Sequence, residues 1–146
     1  MSKSLGNAAD PQKLLDQYSA AGLRFWASQN ISGTDTRLDA VTLAKAKKLI
    51  NKIRNAKRLL DMQTSGVTNQ IYHDRWKDAE RQIRASLEAI DWSSAIKTLR
   101  SFFWDEFCAE FIEHLKSLPC NDSLRIIYSE TILYFEMFLG DMDIAR

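Results

Sequence analysis

Ser2-Lys3-Ser4 sets one cation between two hydroxyls, followed at once by Leu5-Gly6-Asn7. A preorganised cation such as Lys3 stabilises negative charge that builds on phosphate oxygens. The serines and Gly6 suit a loop whose backbone can approach phosphate closely. A second set is the cation run Lys45, Lys47, Lys48, Lys52, Arg54, Lys57 and Arg58. Read on one helix, Lys45, Lys48, Lys52 and Arg54 share a face away from Leu49 and Ile53. That face has two readings. One is contact with nucleic-acid phosphates, where each neutralised phosphate releases counterions and makes binding salt-sensitive. The other is a solvated face paired with the acidic second half of the chain.

The remaining reactive residue types form no recognisable constellation. His73 and His114 lie far apart and read as surface or capping side chains. Cys108 reads as a small buried hydrophobe on an aromatic-rich helix, and Cys120, beside Pro119, as an exposed thiol. With two cysteines and no histidine at zinc-finger spacing, reduced thiols and no metal site are expected. Glu106, Glu110 and Glu113 read as a solvated stripe, with Glu110 able to pair with His114 one turn on. Trp92, Phe102, Phe103, Trp104 and Phe107 read as core aromatics, with Trp104 at a helix–helix seam.

The elements that must carry these residues are helical. Five glycines and two prolines in 146 residues favour long regular elements over turn-rich β structure. Asp10-Pro11 is a helix start, with Asp as cap and Pro at the first position. A short helix is predicted to about Tyr18, and a second over 20–29. Residues 30–37 read as a loop. Leu49, Ile53, Ala56 and Leu60 predict a helix over 39–62, and Gly66 breaks the pattern. Tyr72, Trp76, Ala79, Ile83, Leu87 and Ile90 predict one over 68–90. Asp91 caps the next, whose apolar face is Ile96, Leu99, Phe103, Phe107, Phe111 and Leu115, and Pro119 ends it. Asn121 or Asp122 caps the last, 123–139, with Gly140 as its stop. That helix is apolar nearly all round at its end, so it lies deep in the bundle or meets a partner. The predicted fold is all-α, an antiparallel helical bundle.

Charge is unevenly spread over these helices. Residues 1–58 carry eleven Lys and Arg against four Asp, and residues 59–146 carry nine against fifteen acids. The first part is therefore net +7 and the second net −6, which suggests a polyanion partner at one end. No apolar run approaches the ~20 residues needed to span a bilayer. The start shows no signal-peptide pattern. A cytoplasmic protein with no membrane partner is expected.

Met1-Ser2-Lys3-Ser4-Leu5-Gly6-Asn7 resembles the KMSKS signature of class I aminoacyl-tRNA synthetases, without its first lysine. Asn7-Ala8-Ala9-Asp10-Pro11, Tyr18-Ser19-Ala20-Ala21 and Leu23-Arg24-Phe25-Trp26 resemble the segments that follow it there. Gly33-Thr34-Asp35-Thr36, Asn51-Lys52-Ile53-Arg54-Asn55-Ala56, Asp74-Arg75-Trp76 and Phe103-Trp104-Asp105-Glu106-Phe107-Cys108 are similar to the valyl-tRNA synthetase family. Their order and spacing carry the resemblance over roughly residues 1–116. The chain departs from the family pattern at Ser19 and Ala21, where Gly and Asp are usual. It departs again at Ala109 and Phe111, where Asp and Tyr are usual, and the likeness fades after Leu118.

The resemblance implies a division into a KMSKS loop and stem-contact-like segment, 1–37, and an anticodon-binding-like helical bundle, 38–146. It implies a tRNA partner of the valine type, positioned for aminoacylation by a catalytic domain outside this sequence. Lys45, Lys48, Lys52 and Arg54 would then meet phosphates, and Arg75, Trp76 and Lys77 are candidates for contact with anticodon bases. Lys3, within Met1, Ser2, Lys3 and Ser4, would contact ATP in an intact synthetase. No HIGH motif or nucleotide-binding sheet is found in the sequence, so no catalysis and no cofactor are expected of the chain alone. Two alternatives stand beside this. The chain is a stand-alone paralogue whose last helix packs on another protein, with tRNA binding lost. Or it completes an active site in trans with a nucleotide-binding partner.

Overall fold

A computed structural model of the protein describes residues 10–142, excluding 32, 36–37, 65, 116–120 and the side chain of residue 121. Met1, Ser2, Lys3 and Ser4, and the expectations for Pro119 and Cys120, lie outside the described residues. Every regular element described is helical. They are α1 (Pro11–Ser28), α2 (Ala40–Asp61), α3 (Gln70–Glu88), α4 (Trp92–Ser101), a π-helical stretch (Phe102–Phe111), α5 (Ile112–His114) and α6 (Asn121–Leu139).

Local chemistry sets the ends. Asp10 accepts from the Gln12 N–H at 3.0 Å, with Pro11 opening α1. Asp39, Asn69 and Asp91 cap α2, α3 and α4, accepting from the N–H groups of Thr42, Ile71 and Ser94. These bonds favour ionised carboxylates, and hydrogen bonding from Thr42 holds the Asp39 pKa below its usual range. Gly140 stops α6 at φ 69°, its N–H bonded to the Glu136 carbonyl at 2.8 Å. The two short helices expected before residue 30 are the two halves of α1, broken at Ser19 (φ 64°, ψ 163°).

Two departures from the expected pattern have physical causes. Ile90 does not continue the α3 stripe. It stands at φ 58° in the α3–α4 turn, 75% exposed, and lets the Asp91 N–H reach the Ser86 carbonyl at 2.8 Å. The helix after Asp91 is α-helical only to Ser101, then winds as π to Phe111. Phe102 and Phe111 are nine residues apart, two and a half turns of α-helix, which would put them on opposite faces. The i→i+5 winding sets more residues in each turn and brings that separation nearer two whole turns. All four phenylalanines, 102, 103, 107 and 111, are buried as a result, and the rings of Phe102 and Phe111 meet edge-on at 6.0 Å.

The core lies around α6, which touches α1, α2, α3, α4 and the π-helical stretch. Phe25, Leu49, Ile53, Trp76, Ile83, Ile96, Leu99, Phe103 and Phe135 are among its fully buried members. α1 packs on α2, and α3 on α4. Trp92, expected in the core, is instead 49% exposed and edge-on to Phe138. Part of α6 stays uncovered: Leu133 and Met137 are 64% and 61% exposed.

Candidate nucleic-acid interface

α2 presents its cations on two flanks. Lys45, Lys48 and Lys52 lie on one, with Lys45 and Lys48 exposed and Lys52 half-buried. Arg54 is nine residues from Lys45, two and a half turns round, and so faces the other flank. There its guanidinium donates to the Met142 carbonyl at 2.8 Å, beside Lys47, Asn51 and the kink of α1. The structure therefore separates Arg54 from the three lysines with which the sequence grouped it.

The lysine flank of α2 faces α4 and the π-helical stretch. Lys45 shares a shallow cavity of about 110 Å³ with Gln29, Ile96, Lys97 and Arg100. The Lys52 ammonium sits 3.9 Å from the centre of the Trp104 ring, and the Arg100 guanidinium carbon 5.6 Å from the same ring. Lys97 and Arg100 were missed by sequence reading, whereas Trp104, read at a helix–helix seam, lies between cations of α2 and α4. The signal of the two cations was present: spaced i, i+3 and i+7 with Trp104, they fall on one side of the helix, off the Ile96, Leu99 and Phe103 stripe. Among the described residues, none of Lys45, Lys48, Lys52, Lys97 and Arg100 makes an ion pair.

The cations of α3 behave differently. Arg75 bonds Glu106 at 2.8 Å and both carboxylate oxygens of Glu110. Glu110 chiefly, with Glu106, raises the Arg75 pKa. These acids are thus not the solvated stripe expected of them, and Glu110 serves Arg75, while His114 Nδ1 lies 2.6 Å from the Tyr72 hydroxyl. Lys77 is held by Glu80 at 2.9 Å and Glu130 at 3.3 Å, which raise its pKa. Glu80 also receives Arg84 and the Tyr134 hydroxyl, each at 2.9 Å. Burial opposes its charge, but the bonds from Lys77, Arg84 and Tyr134 prevail and hold it down to about 2.

Trp76 is fully buried against Phe102 and Tyr134, with its ring N–H donated to Glu130. It is a core residue with no face left for a nucleobase. Within Arg75-Trp76-Lys77, Trp76 is therefore core, while Arg75 and Lys77 remain at the surface, engaged by carboxylates of the π-helical stretch, α3 and α6. Cys108 lies near Lys52, but burial pushes its thiol up to about 12, which leaves it protonated at neutral pH.

This arrangement offers a positive surface from two helices and, among the described residues, no cluster of His, Cys, Asp and Glu placed to hold a metal. No described helix is long and apolar enough to cross a membrane.

The comparisons with known proteins point the same way as the ordered segments of the sequence. The chain is 35% identical over 127 residues to a valine–tRNA ligase of Thermotoga maritima, covering 80% of this chain and 15% of that protein. It is 31% identical over 129 residues to that of Thermoplasma acidophilum, covering 81% and 16%. It is 30% identical over 152 residues to that of Fervidobacterium nodosum, covering 95% and 18%. The chain is related to one segment of the valine–tRNA ligases. It spans less than a fifth of the length of these ligases. No family model matches it.

Proposed function

We propose that this valine–tRNA ligase-like segment binds tRNA in the cytoplasm as an anticodon-recognition module, and that aminoacylation belongs to a catalytic domain outside the sequence. The observation that carries this reading is the five-cation face, Lys45, Lys48, Lys52, Lys97 and Arg100, built from two helices and lacking carboxylate partners among the described residues. Like charges gathered this closely repel one another; Asp39 and Asp91 lie near Lys45 and Lys97 without pairing with them, and a phosphate backbone relieves the remaining cost. The module's part in the reaction is placement: phosphate contacts orient the RNA and carry no sequence information themselves. In an intact synthetase, Lys3 in the KMSKS-like stretch Met1 to Ser4 would meet ATP phosphates. On its own the chain performs no reaction in this reading.

Five phosphate contacts give a slope of log K against log salt of about −3.5 to −4.5. Affinity for tRNA should then fall between about one hundredfold and five hundredfold from 50 to 200 mM salt. Lys45→Glu with Lys97→Glu should abolish binding measurable at 100 mM salt. A slope near zero, or a double variant that binds like the unaltered chain, would defeat the reading.

The uncovered apolar side of α6 favours a second reading, a helical protein-contact module of a synthetase paralogue. Leu133, Met137 and Leu87 line a groove of about 530 Å³ rimmed by Lys77, Glu80, Arg84, Glu88 and Glu130. Absence of tRNA binding at low salt, together with association through this groove, would decide for it.

A further inference from the structure

The protein holds its cations in two distinct ways. On α3, Arg75, Lys77 and Arg84 are fixed by Glu106, Glu110, Glu80 and Glu130, and each pairing cancels charge. Across the α2–α4 face, Lys52 and Arg100 are instead gathered at one ring, Trp104, at 3.9 and 5.6 Å. A ring face attracts a cation through its quadrupole and carries no net charge of its own. Both cations therefore keep their full charge toward solvent while losing freedom. Lys and Arg carry large side-chain entropy, and ordering it beforehand removes a cost otherwise met on binding. Trp104 sits half-buried on the π-helical stretch, packed against the core, so its ring is anchored while both cations reach it from different helices.

We propose that Trp104 is a positioning residue of the RNA-binding face, holding Lys52 and Arg100 in place for phosphate without neutralising them. The inference rests on the tRNA-binding reading above, and it assigns the tryptophan no contact with a base. The phosphates it serves are those of tRNA.

The test is a mutant cycle on the full chain with bulk deacylated tRNA as probe. Trp104→Met keeps a long apolar side chain and removes the ring. Freeing two long side chains should weaken binding about tenfold. In a Lys52→Ala/Arg100→Ala background the same change should cost less than twofold, because its effect passes through those two cations. Trp104→Phe should restore affinity to within threefold of the unaltered chain. Equal losses from Trp104→Met in both backgrounds would overturn the proposal and leave tRNA binding itself intact. An unaltered chain that does not bind tRNA would overturn both. If Trp104→Met fails to fold by circular dichroism, proton NMR of the unaltered chain decides. The Lys52 Hε and Arg100 Hδ resonances should be displaced upfield by the ring, and ordinary positions for both would sink the proposal.

Discussion

Replacing Ser19 by glycine should stabilise this protein. Ser19 breaks α1 with φ 64° and ψ 163°, a region populated almost only by glycine. Holding a serine there costs about 1–3 kcal/mol. Against that relief stand two losses. The Ser19 hydroxyl oxygen accepts from the Gly22 N–H at 3.3 Å, capping the second half of α1. Exchanging a serine cap for glycine costs only a few tenths of a kcal/mol. Glycine also loses more backbone freedom on folding, roughly 0.5–1 kcal/mol. Ser19 is exposed, so no cavity term enters. The net gain is about 1 kcal/mol, or a rise in Tm of about 4 °C for a chain of this size. Urea unfolding followed by circular dichroism gives the free energy by extrapolation, and a shifted midpoint at unchanged m-value identifies a change in stability. Ser19→Ala is the control: it keeps the strained backbone and deletes the cap, so it should lower stability by about 1 kcal/mol. A Ser19→Gly variant melting at or below the unaltered chain, beside a neutral Ser19→Ala, would refute the argument.

Three further outcomes follow from other sites. Ile90→Gly should raise stability by about 1 kcal/mol in urea titration, since a β-branched residue at φ 58° is strained and its side chain is mostly exposed. Gly140→Ala should lower it by about 1–2 kcal/mol, because the new Cβ meets φ 69° and displaces the Arg24 guanidinium that donates to the Leu139 carbonyl. Glu80→Gln should be destabilising at pH 6 and nearly neutral at pH 2. The Glu80 carboxyl titrates at about 2 when folded against 4.5 ordinarily, so its contribution is complete above pH ~4.5 and disappears as pH falls toward 2. Urea midpoints of both proteins across that range should converge, with a separation of at most about 3 kcal/mol at the upper end.

The helices were legible wherever a cap and an apolar repeat agreed. Asp10-Pro11, Asp91 and Gly140 each marked an end that the structure shows. The α1 break was legible for a different reason: its two halves read as separate helices, although the strain at Ser19 was not visible in residue types. The π-helical stretch was not legible. Phe103, Phe107 and Phe111 fit an ordinary helical stripe, and only Phe102 in the core demands wider winding. Trp76 was read two ways, as core by its spacing and as a candidate base contact under the family resemblance, and its full burial makes it core. Arg54 was misgrouped because a run of cations conceals helical phase. Lys97 and Arg100 were missed because they are ordinary surface residues until α2 is brought opposite them.

The charge asymmetry along the chain takes on a different meaning in space. From sequence, the acidic second half offered a way to neutralise the basic first half, and with it a purely structural account of the α2 lysines. The structure spends those acids elsewhere. Glu80, Glu106, Glu110 and Glu130 all turn to cations of α3, which belong to the acidic half itself. Among the described residues, Lys57 is the exception on α2, pairing with Asp61 one turn on. Lys45, Lys48 and Lys52 are left opposite two more cations and one indole ring. Exposed ion pairs contribute little to stability, so their absence here costs the fold little. What their absence preserves is a net positive field over one face, only partly offset by Asp39 and Asp91, which within a Debye length of about 8–10 Å can act on an approaching polyanion. The internal pairing of α3 and the unpaired face of α2 and α4 are thus one arrangement, in which satisfying the acids locally leaves the basic flank for a partner.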